Sequence, residues 1–256
     1  MTTALIGYTG FVGSNLRAAR EYDELYNSAN VAEIAGRSFE TVVFTAAKAE
    51  KWRINQNPDD DVAHIEQLKR TLESIDAERL VLVSTIDVYR DPVGVTEETE
   101  PPTDGLHPYG LHRLGLEAFA TGQFPSVHIV RLPGLFGPGI KKNVIYDLLH
   151  DNNVERIHAD GVFQYYDLRW LAEDLDRIIA HNLPLVNLAT EPVSTRDVAR
   201  HAFGRDFDNR PDGMRSGLYD MRSVHAHVWN GHDGYLYGRD AVLDGLAAFV
   251  RSERAA

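Results

Sequence analysis

Residues 5–13 read Leu-Ile-Gly-Tyr-Thr-Gly-Phe-Val-Gly, an apolar run that contains three evenly spaced glycines, Gly7, Gly10 and Gly13. The first glycine permits a tight turn after a strand, the second lets backbone amides approach a pyrophosphate, and the third lets the next helix pack closely on the sheet. A helix that begins near Phe11 would direct its N-terminal amides and the positive end of its dipole at phosphates. A glycine triplet alone is a weak signal, but here an apolar strand precedes it and a helical pattern follows. The stretch therefore predicts a dinucleotide-binding turn.

The composition is that of an ordinary soluble globular protein. The 256 residues are 43% hydrophobic and 25% charged, and none is cysteine, which excludes disulfides, thiolate metal sites and cysteine nucleophiles. The formal net charge of -12 argues against a nucleic-acid partner, because phosphates require a basic surface. The chain has no signal-peptide pattern and no apolar run of membrane-spanning length, so we expect a cytoplasmic protein with no membrane partner.

Strands alternate with helices along the chain, which predicts an α/β fold with a doubly wound parallel sheet. We expect a single unit in which 1–135 form mainly the dinucleotide-binding core. The segments 136–166 and 189–256 would form mainly a small C-terminal substrate lobe, and 167–188 would return to the core. A first predicted strand precedes the glycine turn, and the other predicted strands are 23–27, 41–46, 80–83, 127–132 and 185–188. The predicted helices are 11–20, 58–77, 109–120, one after Lys142 that ends at Leu149, 168–180, 195–203 and 240–250.

The long helix 58–77 is predicted from apolar residues at helical spacing: Val62, Ile65, Leu68, Leu72 and Ile75. The segment 91–108, which holds four prolines and several acidic residues, reads as an exposed loop.

The predicted second strand ends without the acidic residue that usually grips the adenosine ribose. The nearest polar residues are Asn27 and Ser28, so the sequence leaves NAD and NADP both open. The first strand-helix-strand unit is also short, which predicts a small adenosine pocket.

Two sequence motifs with polar side chains are expected at the carboxyl edge of the sheet. Ligands of such folds bind at this edge. The strand 80–83 continues into Ser-Thr-Ile-Asp-Val-Tyr at 84–89, and the helix after the acidic loop begins Tyr-Gly-Leu-His-Arg at 109–113. Tyr109 and Arg113 are four residues apart and so share one helix face. A cation there favours tyrosinate and lowers the tyrosine pKa, which predicts proton exchange by this pair near neutral pH.

With these motifs in order, the chain resembles the extended short-chain dehydrogenase/reductase family, which contains nucleotide-sugar epimerases, dehydratases and reductases. The matching residues extend over nearly the whole length: the glycine triplet, Thr-Ala-Ala at 45–47, Ser-Thr-x-x-Val-Tyr at 84–89, Pro-Tyr-Gly at 108–110 and Arg-Leu-Pro-Gly-Leu-Phe-Gly-Pro at 131–138. The resemblance implies a Rossmann fold and an NAD(P)-dependent oxidoreductase or epimerase that transfers hydride at a hydroxyl or carbonyl carbon. Its substrate would be a nucleotide sugar or another phosphorylated sugar-like compound.

The resemblance also implies roles by position. Thr85 would hydrogen-bond the substrate oxygen, Tyr109 would be the general acid/base, and the residue four positions later would hold the nicotinamide ribose. The candidate cofactor-binding residues are Gly7, Thr9, Gly10, Phe11, Val12, Gly13, Asn27, Ala46, Ala47, Lys48, Tyr109, Arg113 and Pro133. Family members often dimerise through the helices that carry 57–77 and 109–120, so a homodimer is a possible partner arrangement.

Arg113 departs from the family, which has lysine at this position. Arginine keeps the charge, but its planar fork cannot place a point charge in the same spot. Three readings stay open: Arg113 does the work of the lysine, hydride chemistry is lost in a regulatory or partner-binding relative, or Arg113 binds an anionic substrate group.

Asp87 is a further catalytic candidate, because related sugar-nucleotide dehydratases carry a glutamate base there. Those enzymes also have an acid at the preceding position, where this chain has Ile86. We therefore favour epimerisation or carbonyl reduction over dehydration. A carboxylate that merely caps a turn explains Asp87 as well.

Candidate substrate-binding residues follow the turn-rich passage 133–139. They are Lys141, Lys142 and Asn143, with Arg222 as a weaker member of the set, and solvated surface charge explains the lysines nearly as well. The histidines at 225, 227 and 232 could be drawn as a metal site, but nothing in the sequence fixes their geometry, so we expect no metal.

Overall fold

The computed structural model describes residues 2–213 and 216–255 and divides into two compact units. The first unit comprises the chain up to Asp91 together with Glu100–Arg131 and Trp170–Val186. The second comprises Pro92–Thr99, Leu132–Arg169 and the chain from Asn187 onward. The assignment of these regions to cofactor and substrate stays a prediction.

The first unit is built around a six-stranded sheet. Its strands are β1 Thr3–Ile6, β2 Glu24–Tyr26, β3 Ser38–Phe44, β4 Asp76–Thr85, β5 Val127–Leu132 and β9 Leu185–Asn187, in the spatial order β2-β1-β3-β4-β5-β9. Its helices are α1 Phe11–Ala19, α2 Lys51–Gln56, α3 Pro58–Glu73, α4 Pro108–Gln123 and α6 Leu171–Ala180.

Strand order places the carboxyl end of β1 at a point where the chain changes direction across the sheet. β1 pairs in parallel with β2 on one side and with β3 on the other, and β3 pairs in parallel with β4. Ligands of open α/β sheets bind in the crevice beside such a switch point. The doubly wound α/β fold predicted from the sequence is confirmed.

Two predictions about the long helix are wrong in detail. The helix α3 ends at Glu73, four residues before the predicted end, and Ser74 caps it so that Asp76 can begin β4 in register with Ser38. Val62 was expected in the buried stripe, but it is 44% exposed, while the other four apolar residues of the predicted stripe are buried. Ile75 is buried from the connection to β4 rather than from the helix.

Some strand limits also differ from the prediction. The structure extends β4 to ten residues, Asp76–Thr85, and β3 begins at Ser38, because the two strands pair from Ser38 and Asp76 to Phe44 and Leu82. The short helix α2 was not predicted, because its six residues, Lys-Trp-Arg-Ile-Asn-Gln, show no helical apolar period. Pro108, expected in the exposed loop, occupies the first turn of α4, a position that proline favours.

The second unit contains shorter elements. They are β6 Gly134–Phe136, α5 Val144–His150, β7 Val162–Phe163, β8 Tyr165–Asp167, β10 Val193–Ser194, α7 Thr195–Phe203 and α8 Arg239–Ala255. β6 pairs in parallel with β8, β7 pairs antiparallel with β10, and α7 packs against α8. The turn-rich passage predicted at 133–139 thus contains a three-residue strand.

Candidate active site

The glycine turn after β1 is closely packed against the end of β3. Gly7 has a φ of 94°, and a Cβ built on it would lie 2.7 Å from the backbone nitrogen of Ala46. A Cβ on Gly13 would lie 2.2 Å from the carbonyl oxygen of Gly7. Both positions therefore require glycine for the turn itself, since only glycine avoids these contacts.

Gly10 differs from the other two glycines. A Cβ there would meet only the Gly7 carbonyl oxygen, at 3.3 Å, and the residue is exposed. Gly10 is the N-cap residue of α1, no side chain caps this helix, and its first turn contains no acidic residue. The helix end thus presents backbone amides and an uncompensated positive dipole, the arrangement that phosphates need.

Asn27, the candidate at the end of β2, is used in a local turn. Its side-chain oxygen accepts a hydrogen bond from the Ala29 backbone at 2.8 Å, and its backbone nitrogen donates to the Asn30 side chain at 2.8 Å. Its part in adenosine binding stays a prediction.

Thr85 and Tyr109 come together from different elements. Thr85 is the last residue of β4 and Tyr109 lies in the first turn of α4. The Thr85 side chain is close enough to the phenol to favour its ionised form, against the larger effect of burial on the Tyr109 pKa. The Thr85 hydroxyl also accepts from the Asp87 backbone nitrogen at 3.1 Å, which fixes the turn after β4. Tyr109 is 6% exposed. The structure therefore brings the predicted hydroxyl pair to the carboxyl edge of the sheet.

Three contacts hold the first turn of α4 in place. The Tyr109 backbone nitrogen donates to Asn55 of α2 at 3.0 Å, and the Gly110 backbone nitrogen donates to Nδ1 of His107, the N-cap residue, at 3.0 Å. A Cβ on Gly110 would lie 2.2 Å from the Asp87 carbonyl oxygen. The glycine of the Pro-Tyr-Gly motif is thus what lets the tyrosine-bearing helix approach the turn after β4.

The expectation of a lowered Tyr109 pKa is wrong. Burial raises the pKa of the Tyr109 phenol, and it outweighs the opposing effect of Arg113, while Asp87 raises the pKa further. Arg113 acts in the expected direction, with its guanidinium carbon 4.8 Å from the centre of the Tyr109 ring. Desolvation is the larger effect, so the resting side chain is the neutral phenol.

Arg113 is buried in an ion pair. Its Nη1 and Nη2 atoms donate to the two carboxylate oxygens of Asp61 on α3 at 3.2 and 3.1 Å, and Nη2 also donates to the Lys48 carbonyl oxygen at 2.6 Å. Asp61 receives a third contact, 2.8 Å, from His112. The exposed fraction is 3% for Arg113 and 4% for Asp61. The guanidinium therefore ties α4 to α3 and to the loop that follows β3.

Asp87 forms a salt bridge that sequence analysis did not anticipate. Its Oδ1 lies 2.6 Å from Nζ of Lys51 in α2, and its Oδ2 lies 3.5 Å from the Thr85 hydroxyl. The side chains are partly exposed, 20% for Asp87 and 38% for Lys51. The carboxylate is thus more than a turn cap, and it links the Thr85 hydroxyl to a half-exposed ammonium group.

A second buried ion pair lies behind the site. Arg131 at the end of β5 contacts both carboxylate oxygens of Glu117 in α4, at 3.1 and 2.6 Å, and donates to the Tyr89 hydroxyl at 2.7 Å. Ser84 in β4 donates to the same carboxylate. The Glu117 carboxylate raises the pKa of Arg131 against the opposing effect of burial. The network fixes α4 in register against β4 and β5.

The remaining candidates lie in the second unit, and their roles stay predictions. Pro133 and the exposed Lys141 and Lys142 lie there. Asn143 has its side chain engaged locally, since it caps α5 by accepting from two backbone amides and donates to the Leu135 carbonyl at 2.8 Å. Arg222 pairs with Asp220 at 3.1 Å.

Other features of the described residues bear on the site. No group of three or more histidine, cysteine, aspartate or glutamate side chains within 2–213 and 216–255 could hold a metal ion. Across the same residues, no helix is both long and apolar enough to cross a membrane.

A cavity of about 720 Å³, whose lining includes Ser38, Asp76 and Phe124, lies at the amino ends of the strands, away from the glycine turn.

Comparisons with known proteins give structural matches only. No family model and no curated protein matches the chain. The structure of MoeE5 in complex with UDP-glucose and NAD is 19% identical, covers 100% of this chain and 99% of its own, and has a TM-score of 0.73. A dTDP-4-dehydrorhamnose reductase from Clostridium acetobutylicum is 16% identical over 99% of this chain and 100% of its own, with a TM-score of 0.75.

A third match is a UDP-glucuronic acid 4-epimerase from Bacillus cereus in complex with a fluorinated UDP-glucuronic acid and NAD. It is 14% identical over 100% of this chain and 99% of its own, with a TM-score of 0.74. At these identities the likeness shows the fold. The chain has the same fold as these nucleotide-sugar enzymes over their full length.

Sequence reasoning missed three residues that hold the site together: Lys51, Asn55 and Asp61. Asn55 on α2 and Asp61 on α3 contact residues of α4 that are more than 50 positions away in sequence, and Lys51, the first residue of α2, contacts Asp87. One signal was available, because Lys48 and Lys51 are two of only five lysines, and they lie between the end of β3 and the start of α2.

Proposed function

We propose that this chain is an extended short-chain dehydrogenase/reductase that uses NAD or NADP to transfer hydride at a hydroxyl or carbonyl carbon of a nucleotide sugar or similar phosphorylated sugar. We favour epimerisation or carbonyl reduction as the overall reaction, because Ile86 stands where related dehydratases carry an acid. The observation that carries the proposal is the proximity of Thr85 and the buried Tyr109 at the carboxyl edge of the sheet, in the same unit as the glycine turn.

The residues around β1 fit a dinucleotide. The Gly7–Gly13 turn leaves no space for side chains on its inner side, and the uncapped helix α1 offers amides to a pyrophosphate. Thr9, Phe11 and Val12 belong to this turn and the first turn of α1, and Ala46, Ala47 and Lys48 follow β3 beside it. When bound, the cofactor supplies the hydride acceptor or donor, and the protein positions and protonates the substrate.

Tyr109 and Thr85 are proposed to act on the substrate oxygen. In the oxidation direction, Tyr109 receives the hydroxyl proton as hydride leaves the carbon, and in reduction it returns that proton to the carbonyl oxygen. Thr85 orients the same oxygen through its hydroxyl. The neutral phenol produced by burial is the form needed to protonate a carbonyl.

Of the three alternatives for Arg113, we propose the first, in which it does the work of the lysine, and we limit that work to its effect on Tyr109. Its stacking on Tyr109 keeps a positive charge beside the phenol. Its Nη atoms are held by Asp61 and the Lys48 carbonyl, which disfavours direct binding of a substrate anion. We therefore assign Arg113 a positioning role toward Tyr109 and the loop after β3.

A nucleotide-sugar substrate is proposed by analogy with the structural matches, whose complexes contain UDP-sugars. Lys141 and Lys142 are proposed to attract substrate phosphates, with Arg222 as a weaker contributor. Use of NAD(P) and a sugar nucleotide further suggests a cytoplasmic location, which cell fractionation would test.

A homodimer through α3 and α4 is also proposed. These helices pack against each other and expose Val62 (44%) and Leu111 (41%), two large apolar side chains with no function inside the unit. Sedimentation velocity of the wild type and Leu111→Glu tests this. We expect a dimer that Leu111→Glu dissociates, and a monomeric wild type would contradict it.

The test of cofactor binding uses the difference between the glycines. Titration with NAD, NADH, NADP and NADPH is followed by calorimetry for the wild type and Gly10→Ala. We expect one cofactor pair to bind tightly and Gly10→Ala to lose that binding with little change in melting temperature, because its Cβ meets only one backbone atom in the protein. Failure of every cofactor to bind the folded wild type would favour the alternative, a regulatory or partner-binding relative without turnover.

A further inference from the structure

We propose that Asp87 is the proton-exchange partner of Tyr109 and that Lys51 positions it, so that Tyr109, Thr85, Asp87 and Lys51 form a path for protons between the buried phenol and solvent. This inference rests on the proposed function. It adds Lys51 to the site and adds a route by which the proton of Tyr109 reaches solvent. The role differs from that of a base acting directly on the substrate, which the sequence suggested for Asp87.

The geometry of the path runs from the core to the surface. Tyr109 is 6% exposed, and its phenol lies near the Thr85 side chain. The Thr85 hydroxyl lies 3.5 Å from Oδ2 of Asp87, and Oδ1 of Asp87 lies 2.6 Å from Nζ of Lys51. The Thr85–Asp87 distance is long for a hydrogen bond, and such contacts commonly shorten when substrate binds.

The chemistry of a neutral phenol requires such a partner. A phenol can accept a substrate proton only if it passes its own proton onward. Tyr109 would donate its proton to the Thr85 oxygen while the Thr85 hydroxyl, turned from the substrate oxygen toward Oδ2, gives its proton to the Asp87 carboxylate. The sum is transfer of one proton from the substrate hydroxyl to Asp87, with Tyr109 and Thr85 neutral before and after. Asp87 then releases the proton to water, and the reverse sequence serves carbonyl reduction.

Lys51 acts through Asp87. Its ammonium group holds Oδ1 from α2, which leaves Oδ2 directed at Thr85. The other titratable or charged groups close to this path are His107, which stacks on Tyr109 at 6.2 Å, and Arg113, which is paired with Asp61. His107 has its Nδ1 engaged by the Gly110 amide, so the carboxylate is the accessible acceptor.

The test measures exchange of the Tyr109 hydroxyl proton with solvent in the protein without cofactor or substrate. Tyrosine labelled with ¹³C at Cζ gives two signals in mixed H₂O and D₂O when the hydroxyl exchanges slowly and one when it exchanges fast, and Tyr109→Phe assigns the resonance. We expect Asp87→Asn and Thr85→Val to slow exchange by about a hundredfold, the range of general acid-base effects.

Two further variants separate positioning from general charge effects. Lys51→Met alone is expected to slow exchange of the Tyr109 proton. Combined with Asp87→Asn it should slow exchange no further, because Lys51 acts through Asp87. Lys69→Met removes a lysine from a comparable 2.7 Å ion pair on α3 and is expected to change nothing. Equal exchange rates in the wild type and Asp87→Asn would overturn the proposal, as would an effect of Lys51→Met that persists in Asp87→Asn.

The measurement does not depend on turnover, so its failure is distinct from failure of the proposed function. If the cofactor titration fails but Asp87→Asn slows exchange, the path exists and the enzyme assignment is wrong. If cofactor binds and Asp87→Asn exchanges like the wild type, the enzyme assignment stands and the path is wrong.

Discussion

Gly110→Ala tests how closely α4, the helix that carries Tyr109, packs against the turn after β4. The substitution adds one methyl group in the first turn of α4, directly after Tyr109, where the Cβ would lie 2.2 Å from the Asp87 carbonyl oxygen. The neighbouring atom belongs to the backbone, so no side-chain rotation relieves the contact. The helix and the turn after β4 must move apart.

The size of the movement follows from the distance. Restoring an ordinary contact requires a separation of about 1 Å. Overpacking of this kind costs about 1–3 kcal/mol of folding free energy. A displacement of about 1 Å between catalytic groups lowers turnover by about a hundredfold. Because the moved residue neighbours Tyr109, the movement also displaces the phenol from Thr85.

The assay compares Gly110→Ala with Gly115→Ala on the same helix. Nothing lies within 4 Å of a Cβ on Gly115, so alanine there should stabilise the helix by about 0.5–1 kcal/mol. Urea unfolding measures both, and the rate of cofactor reduction measures the site. A Gly110→Ala protein with the stability and rate of the wild type would refute the close seating of α4.

Three other substitutions test the charges around the site. Arg113→Lys should lower the free energy of unfolding by about 1–3 kcal/mol, because lysine cannot make the paired hydrogen bonds to the buried Asp61 carboxylate. A sharp rise in the activity of this variant would show that the native enzyme is weakened by its arginine. Glu117→Gln leaves Arg131 buried without its counter-charge and should cost about 3–5 kcal/mol in urea unfolding, against less than about 1 kcal/mol for the exposed Glu66→Gln; equal losses would contradict the buried pairing. Burial, aided by a nearby lysine, lowers the pKa of His107 from 6.5, so the folded state favours its neutral form and loses stability as pH falls below 6.5. His107→Asn keeps a capping oxygen and should flatten that decline, and an unchanged pH profile would show that His107 does not cause it.

Local patterns predicted the fold well. The strand expected before the glycine turn is β1, and the apolar runs at 80–83 and 127–132 lie in β4 and β5. The helix 195–203 has its predicted limits, because burial on a sheet or a helix face leaves a period in the sequence. The limits of α3 and β4 were harder to predict from the sequence. Ile75 continues the apolar period of the helix, but the residues from Asp76 onward belong to β4 and pair with β3.

The positions of the candidate site residues were predictable where a single motif carries them. Tyr109, Thr85 and the glycine turn lie where their motifs placed them. The pKa of Tyr109 was not predictable, because a four-residue spacing reveals the cation and not the extent of burial. The partners of Arg113 and Asp87 could not be read from the sequence either, since Asp61 and Lys51 are distant in the chain and only the packing of α2 and α3 on α4 brings them close.

The most direct test of the proposed chemistry is a comparison of Tyr109→Phe with the wild type, each saturated with the cofactor that binds. A panel of UDP- and dTDP-sugars, with their keto forms, is mixed with both proteins while absorbance at the reduced-nicotinamide band is followed. We expect the wild type to form or consume reduced cofactor with at least one sugar, and Tyr109→Phe to bind cofactor equally but react slower by a factor of about 10²–10⁴. Equal rates in the two proteins would contradict the role of Tyr109, and a cofactor-loaded wild type that reacts with none of the sugars would contradict the enzyme assignment.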